Sequence, residues 1–176
     1  MNRFLAHCLL ITSLSLTLSQ TIYSAEWKSP DGMVSLSVPD PTRFEFSPPT
    51  PDCLVIWEAK NESLTMFVVA SPVPGNQTLI KAFVEFGFLD ELKKTMKNVQ
   101  LLSSTSERQG SFEALLMTAQ ADNEEGTHYV TQKLILVNSK VYNAVARSIN
   151  KDTRSHPDVT AFVNSFKITE AGMKTP

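Results

Sequence analysis

The segment from Phe112 to Gln120, FEALLMTAQ, limits the possible folds more than any other part of the chain. Successive side chains of a strand point to opposite faces. Here both alternating sets are largely apolar, with Phe112, Ala114 and Leu116 on one side and Leu115, Met117 and Ala119 on the other. A strand that is apolar on both faces must be covered on both faces. The rest of the sequence therefore has to supply a sheet and two covering layers.

The flanking segments supply the sheet. Val99 to Glu107, a turn at Gln109 and Gly110, Phe112 to Gln120, an acidic loop from Asp122 to Gly126, Thr127 to Val137, a turn at Asn138 and Ser139, and Val141 to Ile149 follow one another closely. Strands joined by such short connections pair as an antiparallel meander. Upstream, Glu26 to Lys28 and Met33 to Val38 form a hairpin about Ser29, Pro30, Asp31 and Gly32. Cys53 to Ala59 and Leu64 to Ala70 form a second about Lys60 to Ser63. Between them, five prolines from Pro39 to Pro51 remove ladder donors, so an irregular cover with a short strand at Phe44 to Phe46 is expected.

One long helix is predicted over Thr78 to Lys97, with Asn76 or Thr78 as its cap. Ile80, Val84, Phe88, Leu92 and Met96 recur every four residues, and Leu79, Phe83 and Phe86 form a second apolar patch on another face. One face can lie on the sheet, whereas the second patch needs another segment of the chain or a partner protein. Gly87, which costs about 1 kcal/mol against alanine in a helix interior, marks where the helix can bend. The other cover is a short helix capped by Ser155, with Pro157 and Asp158 in its first turn. Its apolar stripe is Val159, Phe162, Val163 and Phe166. The predicted fold class is α+β: a central antiparallel sheet, meander plus N-terminal hairpins, sandwiched between a long helix and a short C-terminal helix. The domain spans 26–170, and 171–176 form a flexible tail.

Residues 1–25 are set apart. Arg3, an apolar run from Phe4 to about Leu18 and the small pair Ser24 and Ala25 have the form of a secretory signal, with cleavage expected near Ala25 and an uncleaved anchor as the alternative. The run is shorter than the ~20 apolar residues a membrane helix needs. Leu5, Ala6 and His7 before Cys8 do not make an acylation box. Without Arg3, 15 basic residues stand against 18 acidic ones, a net charge of −3. No basic stripe remains for phosphates, which argues against nucleic acid. Cys53 is then the one cysteine left, so no internal disulfide is possible, and its place at the head of CLVIW reads as a small buried thiol. Asn61 with Ser63 and Asn76 with Thr78 are glycosylation acceptor patterns, meaningful in a host that glycosylates secreted proteins.

The chemistry-bearing residues are few. Beyond the signal the histidines are His128, beside the acidic loop of Asp122, Glu124 and Glu125, and His156, before Pro157. His128 near carboxylates could bind a divalent cation or act as a base, but a strand histidine beside a solvated turn accounts for it as well. The acidic loop does not follow the calcium-loop pattern, because its twelfth position is Lys133 rather than a bidentate glutamate. There is no paired-cysteine or paired-histidine zinc motif, phosphate loop or serine elbow. No catalytic residue, metal ligand or cofactor is assigned.

The N-terminal hairpin with its glycine turn and closing proline (DGMVSLSVPD), the helix and meander, a strand with a central tyrosine (KVYNAVARS) and a terminal helix ending FVNSFKI resemble the PsbP-like superfamily. That group includes lumenal PsbP proteins, a nuclear Ran-release factor and secreted bacterial proteins. The resemblance covers most of residues 26–168 and rests on Asp31 with Gly32, Pro39, Tyr142 and Ser165 with Phe166. Phe44 stands where such proteins usually carry a tryptophan. It implies a sheet between helices and a non-catalytic accessory or assembly role. The functional expectation is a secreted or periplasmic binding module with another extracytoplasmic protein as partner and no membrane span after cleavage. Its contact patch would be Leu79, Phe83 and Phe86, or the proline-rich loop. A small apolar-ligand carrier, or a hydrolase or metal enzyme centred on His128, are the alternatives.

Overall fold

The computed structural model describes residues 25–50, 53–72, 80–137 and 139–174, with only the backbone given for 80–84. The expected secretory signal, the cap at Asn76 or Thr78, and Leu79 lie outside the described residues. The fold is α+β, with a large antiparallel sheet and three helices among the described residues. The elements in order are β1 (Glu26–Lys28), β2 (Val34–Ser37), β3 (Phe44–Ser47), β4 (Val55–Ala59), β5 (Leu64–Pro72), α1 (Ile80–Thr95), β6 (Lys97–Gln109), β7 (Phe112–Asn123), β8 (Gly126–Val137), β9 (Lys140–Ile149), α2 (Pro157–Ser165), β10 (Lys167–Ile168) and α3 (Glu170–Met173).

The meander is present as expected, β6 to β9 pairing in sequence, and β5 closes against β9 so that the large sheet runs β3-β4-β5-β9-β8-β7-β6. The first hairpin departs from expectation. β1 and β2 do not join the large sheet but pair with β10 in a separate three-stranded sheet. The alternation of Val34 and Leu36 with Ser35 and Ser37 says that one face is apolar, and both apolar residues are fully buried, but it carries no information on which sheet the hairpin belongs to.

The alternation in β7 sorts its side chains into two clusters. Ala114 and Leu116 join Ile135, Val137, Tyr142, Ala144 and Ala146 in the main core, with Val34 and Leu36 of β2 and Val159, Phe162, Val163 and Phe166 from the C-terminal segment. Leu115 and Met117 join Leu134, Val141 and Phe88 of α1 in a smaller one. α1 packs along β6 and β7, and α2 along β2, β8 and β9.

The C-terminal helix starts one residue later than predicted. Thr153–Ser155 form a 3-10 turn capped by Asp152, and His156 rather than Ser155 caps α2, its ring accepting from the Asp158 amide. The expected tail also departs from expectation, because Glu170–Met173 close a helical turn on the first hairpin. The Thr169 amide donates to Met33 O at 3.0 Å, and a Cβ on Gly172 would stand 2.5 Å from the same carbonyl. No described helix is long and apolar enough to cross a membrane.

Candidate functional site

His128 was the one chemical candidate, and the structure places it inside β8 with none of its surface exposed. Arg147 Nε lies 3.0 Å from its Nδ1, and Asn123 Oδ1 lies 2.7 Å from its Nε2. A guanidinium can only donate, so Nδ1 accepts and the ring proton sits on Nε2, directed at Asn123. Burial, reinforced by the Arg147 charge, lowers the pKa of the imidazole below its ordinary 6.5. Both nitrogens are therefore committed to the protein, and a neutral ring in this position orients its neighbours instead of binding a cation. Lys133, which broke the calcium-loop pattern, is buried in the same strand and paired with Glu107 at 3.0 Å.

The other histidine belongs to a cluster that sequence reading missed. Glu62, His156 and Asp158 bring ligand atoms within 4.8 Å of one another. His156 Nδ1 serves as the α2 cap, however, and its Nε2 faces Glu62 at 3.3 Å. The carboxylates already have cations: Arg43 reaches Asp158 at 2.7 Å and Glu62 at 3.6 Å, and Lys151 reaches Glu62 at 2.6 Å. Hydrogen bonding from Lys151 holds the Glu62 carboxyl below its usual range against the effect of burial. This ion-pair network joins the turn before β3, the β4–β5 turn, the loop after β9 and α2, and Arg43 and Lys151 already pair with the carboxylates a metal ion would use. The residues are far apart in sequence, and only His156 before a proline hinted at a helix start.

Among the clefts that open on the surface of the described residues, two flank charged side chains. One, about 510 Å³, runs between the end of α1 at Thr95 and the acidic loop of Asp122, Asn123, Glu124 and Glu125. Asp122 is bonded to Asn98 and Thr127, which keep its carboxyl low. The other, about 600 Å³, follows the three-stranded sheet beside Glu26, Lys28 and Lys167. Both are open. Beside Leu115, Leu134 and Val141 the cavity measures about 30 Å³, room for about one or two waters and far below the few hundred Å³ of a ligand site. Cys53 is buried, its thiol facing Val55 O and Val68 O, and burial raises its pKa, in keeping with a packed thiol.

Of the expected contact patch, Leu79 is not described and the Phe83 side chain is not described. Phe86 projects from α1 with 73 % of its surface exposed. Glu85, Phe88, Leu89 and Leu92 are half-buried and mark the inner side of the helix, with Glu85 accepting from Ser104 at 2.5 Å. A second exposed aromatic, Phe46 at 62 %, rests against the buried Trp57, which also meets Trp27 and Phe162 edge to face.

Two of the residues that carried the resemblance, Asp31 and Tyr142, meet in space. Asp31 in the first hairpin turn accepts from Ser29 Oγ at 2.7 Å and from Lys140 Nζ at 3.0 Å, and takes the hydroxyl of Tyr142 from the middle of β9. Burial would raise the Asp31 carboxyl, but the Tyr142, Ser29 and Lys140 hydrogen bonds outweigh it and hold the group far below the usual carboxylate range. Burial and the same contact push Tyr142 up.

This architecture is the fold seen in the solved structures of PsbP, LpqN and Mog1p. Among solved structures, the chain is similar to cyanobacterial PsbP from Synechocystis, with TM-score 0.62, 11 % identity, and 82 % of this chain and 92 % of that one covered. It is similar to LpqN of Mycobacterium tuberculosis, a protein involved in cell envelope biogenesis, with TM-score 0.60, 16 % identity, and 85 % and 87 % covered. It is also similar to the Ran-binding protein Mog1p of Saccharomyces cerevisiae, with TM-score 0.58, 13 % identity, and 84 % and 96 % covered. No family model matches the sequence, and no curated protein matches it. At these identities the likeness is one of fold.

Proposed function

We propose that the protein is a non-catalytic accessory or binding module that works outside the cytoplasm, with residues 1–25 as its secretory signal and another extracytoplasmic protein as its partner. The observation that carries this reading is Phe86, a large aromatic left 73 % exposed on a helix whose other face is occupied. Exposed aromatics are what protein interfaces use as anchors. We read α1 and the layer made by α2 with the small sheet as covers of opposite faces of the large sheet. On that reading the outer side of α1, marked by Phe86, is left for a partner, and Leu79 and Phe83 are the residues we propose to complete the contact.

Two fold relatives support the class of function without supplying the partner: Mog1p binds a protein, and LpqN serves the cell envelope. The state of His128 and of the Glu62 cluster supports a non-catalytic reading, since each candidate group is held by protein partners. The small cavity beside Leu115 favours the binding module over an apolar-ligand carrier.

The test is affinity purification with the mature domain, wild type against Phe86→Asp, followed by reconstitution of the recovered protein in pure form. A complex that weakens at least about tenfold in the variant while thermal unfolding is unchanged supports the reading. Equal binding by the variant removes this face from the account.

A further inference from the structure

The committed state of His128 has a consequence on the other side of Arg147. Arg147 sits on β9 directly opposite Thr65 of β5, on the edge of an open pocket of about 250 Å³ lined by Ser63, Thr65, Phe67, Arg147 and Ile149. Its Nε is spent on His128, which is fully buried and itself fixed by Asn123, so one edge of the guanidinium is held by a rigid group. The two terminal nitrogens are left. Nη2 has Glu125 Oε2 only at 3.8 Å, and that glutamate side chain is 63 % exposed, a loose pairing that a better acceptor can displace. A planar fork held in one orientation is suited to accept a carboxylate through two parallel N–H bonds. Across the pocket are two hydroxyls, Ser63 and Thr65, and two apolar walls, Phe67 and Ile149.

We propose that this pocket binds a ligand carboxylate, with Arg147 as its anchor, Thr65 and Ser63 as additional donors, and Phe67 with Ile149 packing the short apolar group that carries the acid. Arg147 is the binding residue and His128 its positioning residue. The site lies on the large sheet between β5 and β9, does not include Phe86 in its lining, and stands or falls separately from the partner surface.

The experiment is an amide chemical-shift titration of the full chain with hexanoate, and with hexanamide as the uncharged isostere. Hexanoate should give saturable shifts centred on Thr65, Phe67, Arg147 and Ile149 in the millimolar range, and hexanamide none. Arg147→Lys keeps the positive charge but loses the fork and the bond to His128, and should weaken hexanoate about tenfold, the loss expected for one charged hydrogen bond. N-acetyl-Leu-Leu with a free C-terminus forms a second arm. Tighter binding than hexanoate identifies a polypeptide terminus as the source of the carboxylate, and weaker binding a free acid. Absence of localised saturable shifts, equal response to hexanamide, or unchanged affinity in a folded Arg147→Lys would each overturn the site.

Discussion

The hydroxyl of Tyr142, in the middle of β9, is bonded to the carboxylate of Asp31, 111 residues away in the turn of the first hairpin. The large sheet and the three-stranded sheet are thereby tied through one buried phenol, with Lys140 completing the charge balance at 3.0 Å. Tyr142→Phe removes the donor and leaves Asp31 with Ser29 and Lys140. We expect a loss of about 1–2 kcal/mol, the lower part of the range for a hydrogen bond to a charged group, because the Asp31 side chain is 34 % exposed. Asp31→Asn should cost a similar amount, and the double variant less than the sum, measured by urea unfolding. Strict additivity would show that the two residues act separately.

His128 should make stability pH-dependent. Its folded pKa is depressed below 6.5, so the unfolded chain binds the proton more readily. The stabilisation is therefore complete above 6.5 and is lost as pH falls through and below that value. Urea midpoints should fall between about pH 7 and about pH 5 in the wild type, and fall less in His128→Gln. Asp31 acts in a separate window, stabilising above its ordinary 3.8 and losing that effect in stronger acid. An identical decline in wild type and His128→Gln would assign the near-neutral slope to other groups.

What could be read from the sequence followed from periodicity. The double apolar pattern of β7, the stripe of α2 and the turn at Gly110 each set a local conformation that the fold kept, because burial on both faces leaves little choice. What could not be read was pairing across distance. β10 is two residues long, Lys167 and Ile168, too short to show alternation, yet it draws β1 and β2 away from the large sheet. The cap at His156 was hidden by a 3-10 turn that Asp152 starts, and the partners of His128, Arg147 and Asn123, come from different strands.

The closing turn gives a sign test. Alanine ordinarily favours a helix over glycine, but at Gly172 the added Cβ would meet Met33 O at 2.5 Å, a backbone atom that cannot swing aside. Gly172→Ala should therefore destabilise by about 1–3 kcal/mol and expose the Thr169 amide to hydrogen exchange. At Gly32, where φ is +72° and the space is open, alanine meets strain alone, about 1 kcal/mol. A stabilising Gly172→Ala would contradict the docking of α3.

The outer face of α1 is tested most directly by a photo-crosslinking phenylalanine analogue placed at position 86 of the full chain in cells that produce it. The adduct is identified by mass spectrometry, and the recovered protein is purified and titrated against wild type and Phe86→Asp. The account predicts one discrete extracytoplasmic protein, crosslinked from position 86 but not from the exposed Glu124, whose affinity falls at least about tenfold with Phe86→Asp. No adduct specific to position 86, or a purified protein that binds both forms equally, would contradict it.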